Sequence, residues 1–170
     1  MGTTEVNEHT IADYSNGDVF LRLDGSGVTN FMPDGGGEVN CQVTAGPWEK
    51  FKLAKGSDGY YTIESIAFPG VFLRMDGRNV SEANPTGGVV NCQFGAGPWE
   101  KFKLTTHQYG YSIESVAFPG VFLRMNSDNC EKNSAPGCGQ VNCSWGTSTT
   151  TPIREWFIIA PPVQLSKTGT

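Results

Sequence analysis

Val71-Phe72-Leu73-Arg74-Met75-Asp76-Gly77 echoes Val19-Phe20-Leu21-Arg22-Leu23-Asp24-Gly25, and Val121-Phe122-Leu123-Arg124-Met125-Asn126-Ser127 returns it with an altered tail. Asn40-Cys41, Asn91-Cys92 and Asn142-Cys143 keep the same spacing. A fixed period of roughly 50 residues marks a repeat architecture, each unit being one supersecondary module that buries its apolar face against its neighbours. Strand alternation puts Val71, Leu73 and Met75 on one face, the core face, and Phe72, Arg74 and Asp76 on the other.

Upstream of the motif, Ile63-Glu64-Ser65-Ile66 has the composition of a strand, and Phe68-Pro69-Gly70 turns the chain into the next one. Downstream, Asp76-Gly77 ends the second strand and a variable polar loop runs to Gly87-Gly88. Val89 to Phe94 gives a third strand, and Gly97-Pro98 leads into a fourth at Glu100-Lys101-Phe102-Lys103-Leu104. Ile11 to Phe20 matches Ile63 to Phe72 without a gap, so the N-terminus supplies a full first strand. The predicted organisation is an arm at 1–8, one domain at 9–160 with units 9–58, 59–108 and 109–160, and a polar tail at 161–170 after Pro161-Pro162. Twelve short strands of this kind close into a six-stranded barrel capped by three hairpins, an arrangement that removes most exposed edges.

A chain of 170 residues buries a core without a staple. Its 22 Gly and 10 Pro, with little helical periodicity, place it in the all-β class. The net charge of −5 argues against a phosphate-neutralising surface, so nucleic acid is not an expected partner. No apolar run approaches the ~18 residues of a membrane span, and membrane insertion is not expected. Residues 1–20 lack the pattern of a secretory signal, which tilts the expectation towards the cytosol. Cys41, Cys92 and Cys143 share one repeat position and read as small apolar residues. Cys130 and Cys138 belong to the third unit alone, in the places of Val80 and Gly87. A disulfide between them would close the 131–137 hairpin loop and point to an oxidising compartment.

The repeated Phe-Leu-Arg and Asp-Gly cadence, with Gly-Pro-Trp-Glu-Lys-Phe at 46–51 and 97–102, resembles the β-trefoil superfamily over residues 9–160. The likeness is to fascin-type actin-crosslinking domains and fibroblast growth factors, and to fascin-like modules found alone or on microbial glycosidases. The resemblance implies a β-trefoil of three four-stranded repeats with pseudo-threefold symmetry. The ricin-type Gln-x-Trp signature is absent, since Gln42 and Gln93 are followed two residues later by Thr44 and Gly95.

Regular strand parity would lean Trp48 and Trp99 outward with the lysines, where an indole face beside polar groups is a common way to build a sugar site. The alternative places both as satellite core under the strand entry. Asp24 and Asp76 either close turns or reach a ligand. Asn40 and Asn91 alternate with Gln42 and Gln93 on apolar strands, where an amide needs a partner. Because Asn142 persists in the third unit while Ser144 replaces Gln, the asparagines are assigned mainly to structure and the glutamines mainly to ligand. Arg22, Arg74 and Arg124 persist with Glu49, Glu100 and Glu155, which an Arg–carboxylate pair shared between units would explain.

Enzyme chemistry finds little support: His9 and His107 have no repeat partners, and neither metal-ligand spacing nor a nucleophile elbow is present. No cofactor is called for. The leading expectation is a non-enzymatic carbohydrate-binding module whose partners are glycans or glycoproteins. Its shallow sites are Asp24, Gln42 and Trp48 in unit one and Asp76, Gln93 and Trp99 in unit two, with Asn40 and Asn91 in support. The third unit, with Asn126-Ser127, Ser144 and Arg154 at the matching places, is expected to be weak or silent. The other reading is a protein-binding trefoil: a protease inhibitor working through the unrepeated 126–140 loop, or a fascin-like actin-binding module.

Overall fold

In the computed structural model, which describes residues 7–131, 137–146 and 154–165, the β-branched and aromatic runs form twelve strands. Unit one holds β1 (Thr10–Asp13), β2 (Phe20–Asp24), β3 (Glu38–Gln42) and β4 (Phe51–Lys55). Unit two holds β5 (Tyr61–Ser65), β6 (Val71–Asp76), β7 (Gly88–Phe94) and β8 (Phe102–His107). Unit three holds β9 (Gly110–Ser115), β10 (Val121–Asn126), β11 (Gln140–Trp145) and β12 (Phe157–Ala160).

Six of these strands close a ring. Three antiparallel pairs, the hairpins β4–β5 and β8–β9 and the first and last strands β1–β12, are joined at Tyr61↔Phe102, Tyr111↔Phe157 and His9↔Phe51. The last junction is a reciprocal pair, His9 N to Phe51 O and Phe51 N to His9 O, each 2.8 Å. The hairpins β2–β3, β6–β7 and β10–β11 cap one end. They interlock cyclically: the loop of each unit pairs with the third strand of the next. Gly36 pairs with Cys92, Gly88 with Cys143, and Cys138 with Cys41. These contacts lie far apart in sequence, so the fold is dominated by non-local pairing.

The core follows the alternation of the repeated motif. Leu21, Leu73 and Leu123 are fully buried, as are Phe51, Phe102 and Phe157 at the barrel junctions. Each such side chain contributes about 1.5–3 kcal/mol by leaving water. The opposite face of the motif is not a solvent face, for Arg74 is only 2% exposed and Arg22 8%. The arginines meet the repeated glutamates, but within a unit rather than between units. Arg124 Nε lies 3.9 Å from Glu155 Oε1, and Arg22 and Arg74 act on Glu49 and Glu100. The reason is local: in units one and two the turn before the fourth strand folds back over that unit's own second strand.

Packing runs past both ends of the 9–160 span. The Asn7 side chain exchanges two hydrogen bonds with Leu53, Nδ2 to O at 2.7 Å and Oδ1 from N at 3.1 Å. The Tyr111 hydroxyl is bonded to Val163 at both its N and its O, and Val163 and Leu165 pack against the core. Cys130 and Cys138 are disulfide-bonded with Cα atoms 5.4 Å apart, while Cys41, Cys92 and Cys143 are buried free thiols.

Candidate functional site

Trp48 and Trp99 do not belong to strands. Each sits in a one-turn 3-10 helix, Pro47–Glu49 or Pro98–Glu100, with proline fixing the entry. Strand parity therefore does not govern them, and the outward lean expected of both is corrected: each is half-buried beneath a guanidinium. Arg22 Cζ lies 4.6 Å from the Trp48 ring centre; Arg74 and Arg78 lie 4.6 and 5.0 Å from that of Trp99. A phenylalanine of the following unit completes each stack, Phe68 at 5.5 Å from Trp48 and Phe118 at 5.2 Å from Trp99.

The same two phenylalanines explain the Asp-Gly pairs. A Cβ on Gly25 would lie 2.9 Å from Phe68, and one on Gly77 3.0 Å from Phe118. Unit three instead meets unit one in space, where Asn16 stands in place of phenylalanine, and Ser127 is accommodated with its hydroxyl on Asp13. The aspartates close turns: Asp24 accepts from Ser26 N at 3.0 Å and Oγ at 2.6 Å, and Asp76 from Arg78 N, Nε and Nη2. These donors hold both carboxyls below the usual range.

The amides are likewise engaged. Asn40 and Asn91 accept from Arg22 Nη1 and Arg74 Nη1 at 3.0 and 3.1 Å, and Asn91 Nδ2 donates to Asp34 O at 3.0 Å. Gln93 clamps the unit-one loop as a strand would: Nε2 donates to Met32 O at 2.6 Å and Oε1 accepts from Met32 N at 2.9 Å. Gln42 Oε1, its repeat equivalent, is buried with no partner. The structure thus gathers Asp24, Asn40 and Trp48 around Arg22, and Asp76, Asn91 and Trp99 around Arg74.

Beside the second cluster opens a cleft of about 470 Å³, walled by Phe31 and Pro33 from unit one and by Gln93, Phe94, Trp99 and Glu100 from unit two. Phe31 is 69% exposed and Phe94 40%. Phe94 rests on Gly70, whose φ of +85° suits glycine and whose missing Cβ would lie 3.0 Å from the ring. Glu100 is buried at the base; burial pushes its carboxyl above the usual value, and the charge of Arg74 works against that rise. Arg74 Nη2 is buried without a hydrogen-bond partner.

Sequence reasoning missed Phe31 and Phe94. The only signal for Phe31 was a lone aromatic in an unrepeated polar loop. For Phe94 it was the matching Trp145 at the end of β11, which is 41% exposed above Gly120. Of the 126–140 loop, residues 132–136 lie outside the described residues. Ser144 donates to Glu155 Oε1 at 3.2 Å and Arg154 to Asp128 Oδ2 at 2.7 Å, so both third-unit replacements have internal partners. Among the described residues no group of three or more His, Cys, Asp or Glu is placed to hold a metal.

A six-stranded barrel, three hairpin caps and a threefold repeat define a β-trefoil. No family model matches the chain, and no curated protein matches it. Solved structures do. The Rhizoctonia solani agglutinin is similar at 14% identity and a TM-score of 0.63, over 94% of this chain and 97% of that one. The Macrolepiota procera ricin B-like lectin, solved with lactose, gives 12% and 0.59 over 95% and 100%. A mosquitocidal holotoxin gives 15% and 0.66 over 94% of this chain, which spans only 18% of the toxin chain. At these identities the likeness is one of fold.

Proposed function

We propose that the protein is a non-enzymatic, lectin-like carbohydrate-binding β-trefoil whose principal glycan site is the cleft beside Trp99. The carrying observation is the cleft itself: two exposed phenyl rings, Phe31 and Phe94, over a buried carboxyl, Glu100. Apolar ring faces against sugar C–H groups, with few convergent polar atoms, are the usual makeup of a small-ligand site. Gln93 and Trp99 form its walls; Asp76 and Asn91 support it through Arg74. The Arg22 cluster of unit one, with Asp24, Asn40, Gln42 and Trp48, is the second candidate. Two sites on one body would give avidity for a multivalent glycan. The trefoil neighbours that are agglutinins or lectins support the same reading. Catalysis is disfavoured because Glu100 is the only carboxylate lining the cleft among the described residues, whereas glycoside hydrolysis uses a facing pair.

Calorimetric titration with simple sugars, together with a glycan array, tests this. Saturable binding that is lost in Phe94→Ala is the expected outcome. A blank array with no heat at millimolar sugar would overturn it. The protein-binding alternative through the 126–140 loop draws on one feature, the Cys130–Cys138 bond that pins the loop's ends. A protease-inhibition assay before and after reduction tests that reading.

A further inference from the structure

We infer that the cleft selects the acetamido group of an N-acetylated amino sugar over the hydroxyl of the parent hexose. This rests on the carbohydrate reading above and names the chemistry of its ligand.

The polar inventory of the cleft is short. The Gln93 amide is committed at both ends, its Nε2 to Met32 O and its Oε1 to the N–H groups of Met32 and Phe94. Gly95 N–H is committed to Gly70 O at 2.8 Å. Arg74 Nη1 is held by Asn91. Among the charged groups of the lining, the Glu100 carboxyl stands as an acceptor at the base, while Arg74 Nη2 is buried behind it without a hydrogen bond and 3.9 Å from Asp76 Oδ2. Around these stand Phe31, Pro33, Phe94 and Pro98, with Ala96 between.

A ring bearing only hydroxyls would lose water on entering and find few partners in return, which is unfavourable for every unpaired group. An acetamido group answers each feature of this wall. Its N–H faces the Glu100 carboxyl as acceptor, and its methyl is covered by phenyl rings. Charge argues for a neutral ligand as well. Glu100 and Arg74 offset one another's charge, so the cleft holds no uncompensated charge for an ammonium, a carboxylate or a sulfate to meet. One added methyl group in an apolar pocket is worth about 10- to 200-fold in selectivity.

The test uses the intact chain and calorimetry with methyl glycosides of N-acetylglucosamine and N-acetylgalactosamine. These are set against the methyl glycosides of glucose, galactose, glucosamine and glucuronic acid. The expected result is tighter binding of at least one N-acetylated sugar by about tenfold or more. That margin should fall to about threefold or less in both Phe31→Ala and Phe94→Ala, whose exposed rings can be truncated without unfolding the barrel, and Glu100→Gln should narrow it too. Equal or tighter binding of the parent hexoses, the amine or the uronic acid would overturn the inference while leaving a carbohydrate-binding protein. So would an N-acetyl preference that survives both phenylalanine substitutions, since the site would then lie elsewhere. Absence of saturable binding to every sugar would overturn the inference together with the reading beneath it.

Discussion

Arg74 stands with its guanidinium carbon 4.6 Å from the centre of the Trp99 ring, and Arg22 repeats the distance over Trp48 one unit earlier. The arginine is nearly inaccessible, yet Asn91, Asp76 and Glu100 surround it, so it organises the floor of the cleft. Removing it leaves Glu100 as an uncompensated buried charge. Arg74→Ala is expected to lower unfolding free energy by about 3–5 kcal/mol in urea titration, the range for breaking a buried pair from one side. Adding Glu100→Gln should restore part of that loss; strict additivity would show that the two groups do not communicate.

The pH dependence of stability should have an acidic optimum. Burial pushes the carboxyls of Glu49, Glu100 and Glu155 above the ordinary 4.5, against the pull of Arg22, Arg74 and Arg124. A raised folded value means the native state takes up protons first. Stability therefore grows as pH falls from above the folded values towards 4.5. Asp24 and Asp76 act in the other direction: held below 3.8 by Ser26 and Arg78, they contribute above that value and lose the contribution as pH falls through it. Tm should climb from pH 7 to about 4.5 and drop below about 3.8. Glu100→Gln should have a higher Tm than the parent at pH 7 and a shallower climb. Calorimetric scans showing a steady fall from pH 7 downward would contradict this.

Thiol chemistry should divide the five cysteines by place. Burial pushes Cys41, Cys92 and Cys143 up to about 12, so iodoacetamide should label none of them in the folded protein at pH 8. Mass spectrometry should find three adducts in denaturant and five after reduction. Loss of the Cys130–Cys138 link is expected to cost about 2–3 kcal/mol, on the chain-entropy account for so short a loop.

Gln93 and Gln42 occupy equivalent positions and should respond unequally. Gln93→Ala removes both bonds to Met32 and leaves partly buried backbone groups unpaired, a loss of about 1–3 kcal/mol, and frees the loop that carries Phe31. Sugar affinity should fall with it. Gln42→Ala removes an oxygen that has no partner and should change urea stability by less than about 1 kcal/mol. Equal effects at the two positions would refute the assignment.

The barrel and caps were legible because period-two alternation survives in every copy: Val71, Leu73 and Met75 point inward as their spacing requires. The cleft was not, for reasons that lie in the backbone. Parity stops at Gly97-Pro98, where the chain leaves the strand regime, so the orientation of Trp99 does not follow from that of Lys101. Asp-Gly was shared by units one and two, which suggested function. Its cause is steric, the ring of the next unit pressing on Gly25 and Gly77. Phe31 reaches the cleft from another unit, and nothing in the local sequence encodes a contact of that span.

The cyclic interlock of the caps has a mechanical meaning. Unit one holds unit two at Gly36 and Cys92, two holds three at Gly88 and Cys143, and three holds one at Cys138 and Cys41. His9 Nδ1 lies 2.7 Å from Pro161 O, so the segment before β1 and the segment after β12 meet where that circuit would otherwise show a seam. Strain applied to any unit is handed on and returns to where it began. The molecule has a sequence order but no architectural beginning: around the axis each unit stands between the other two, holding one and held by the other.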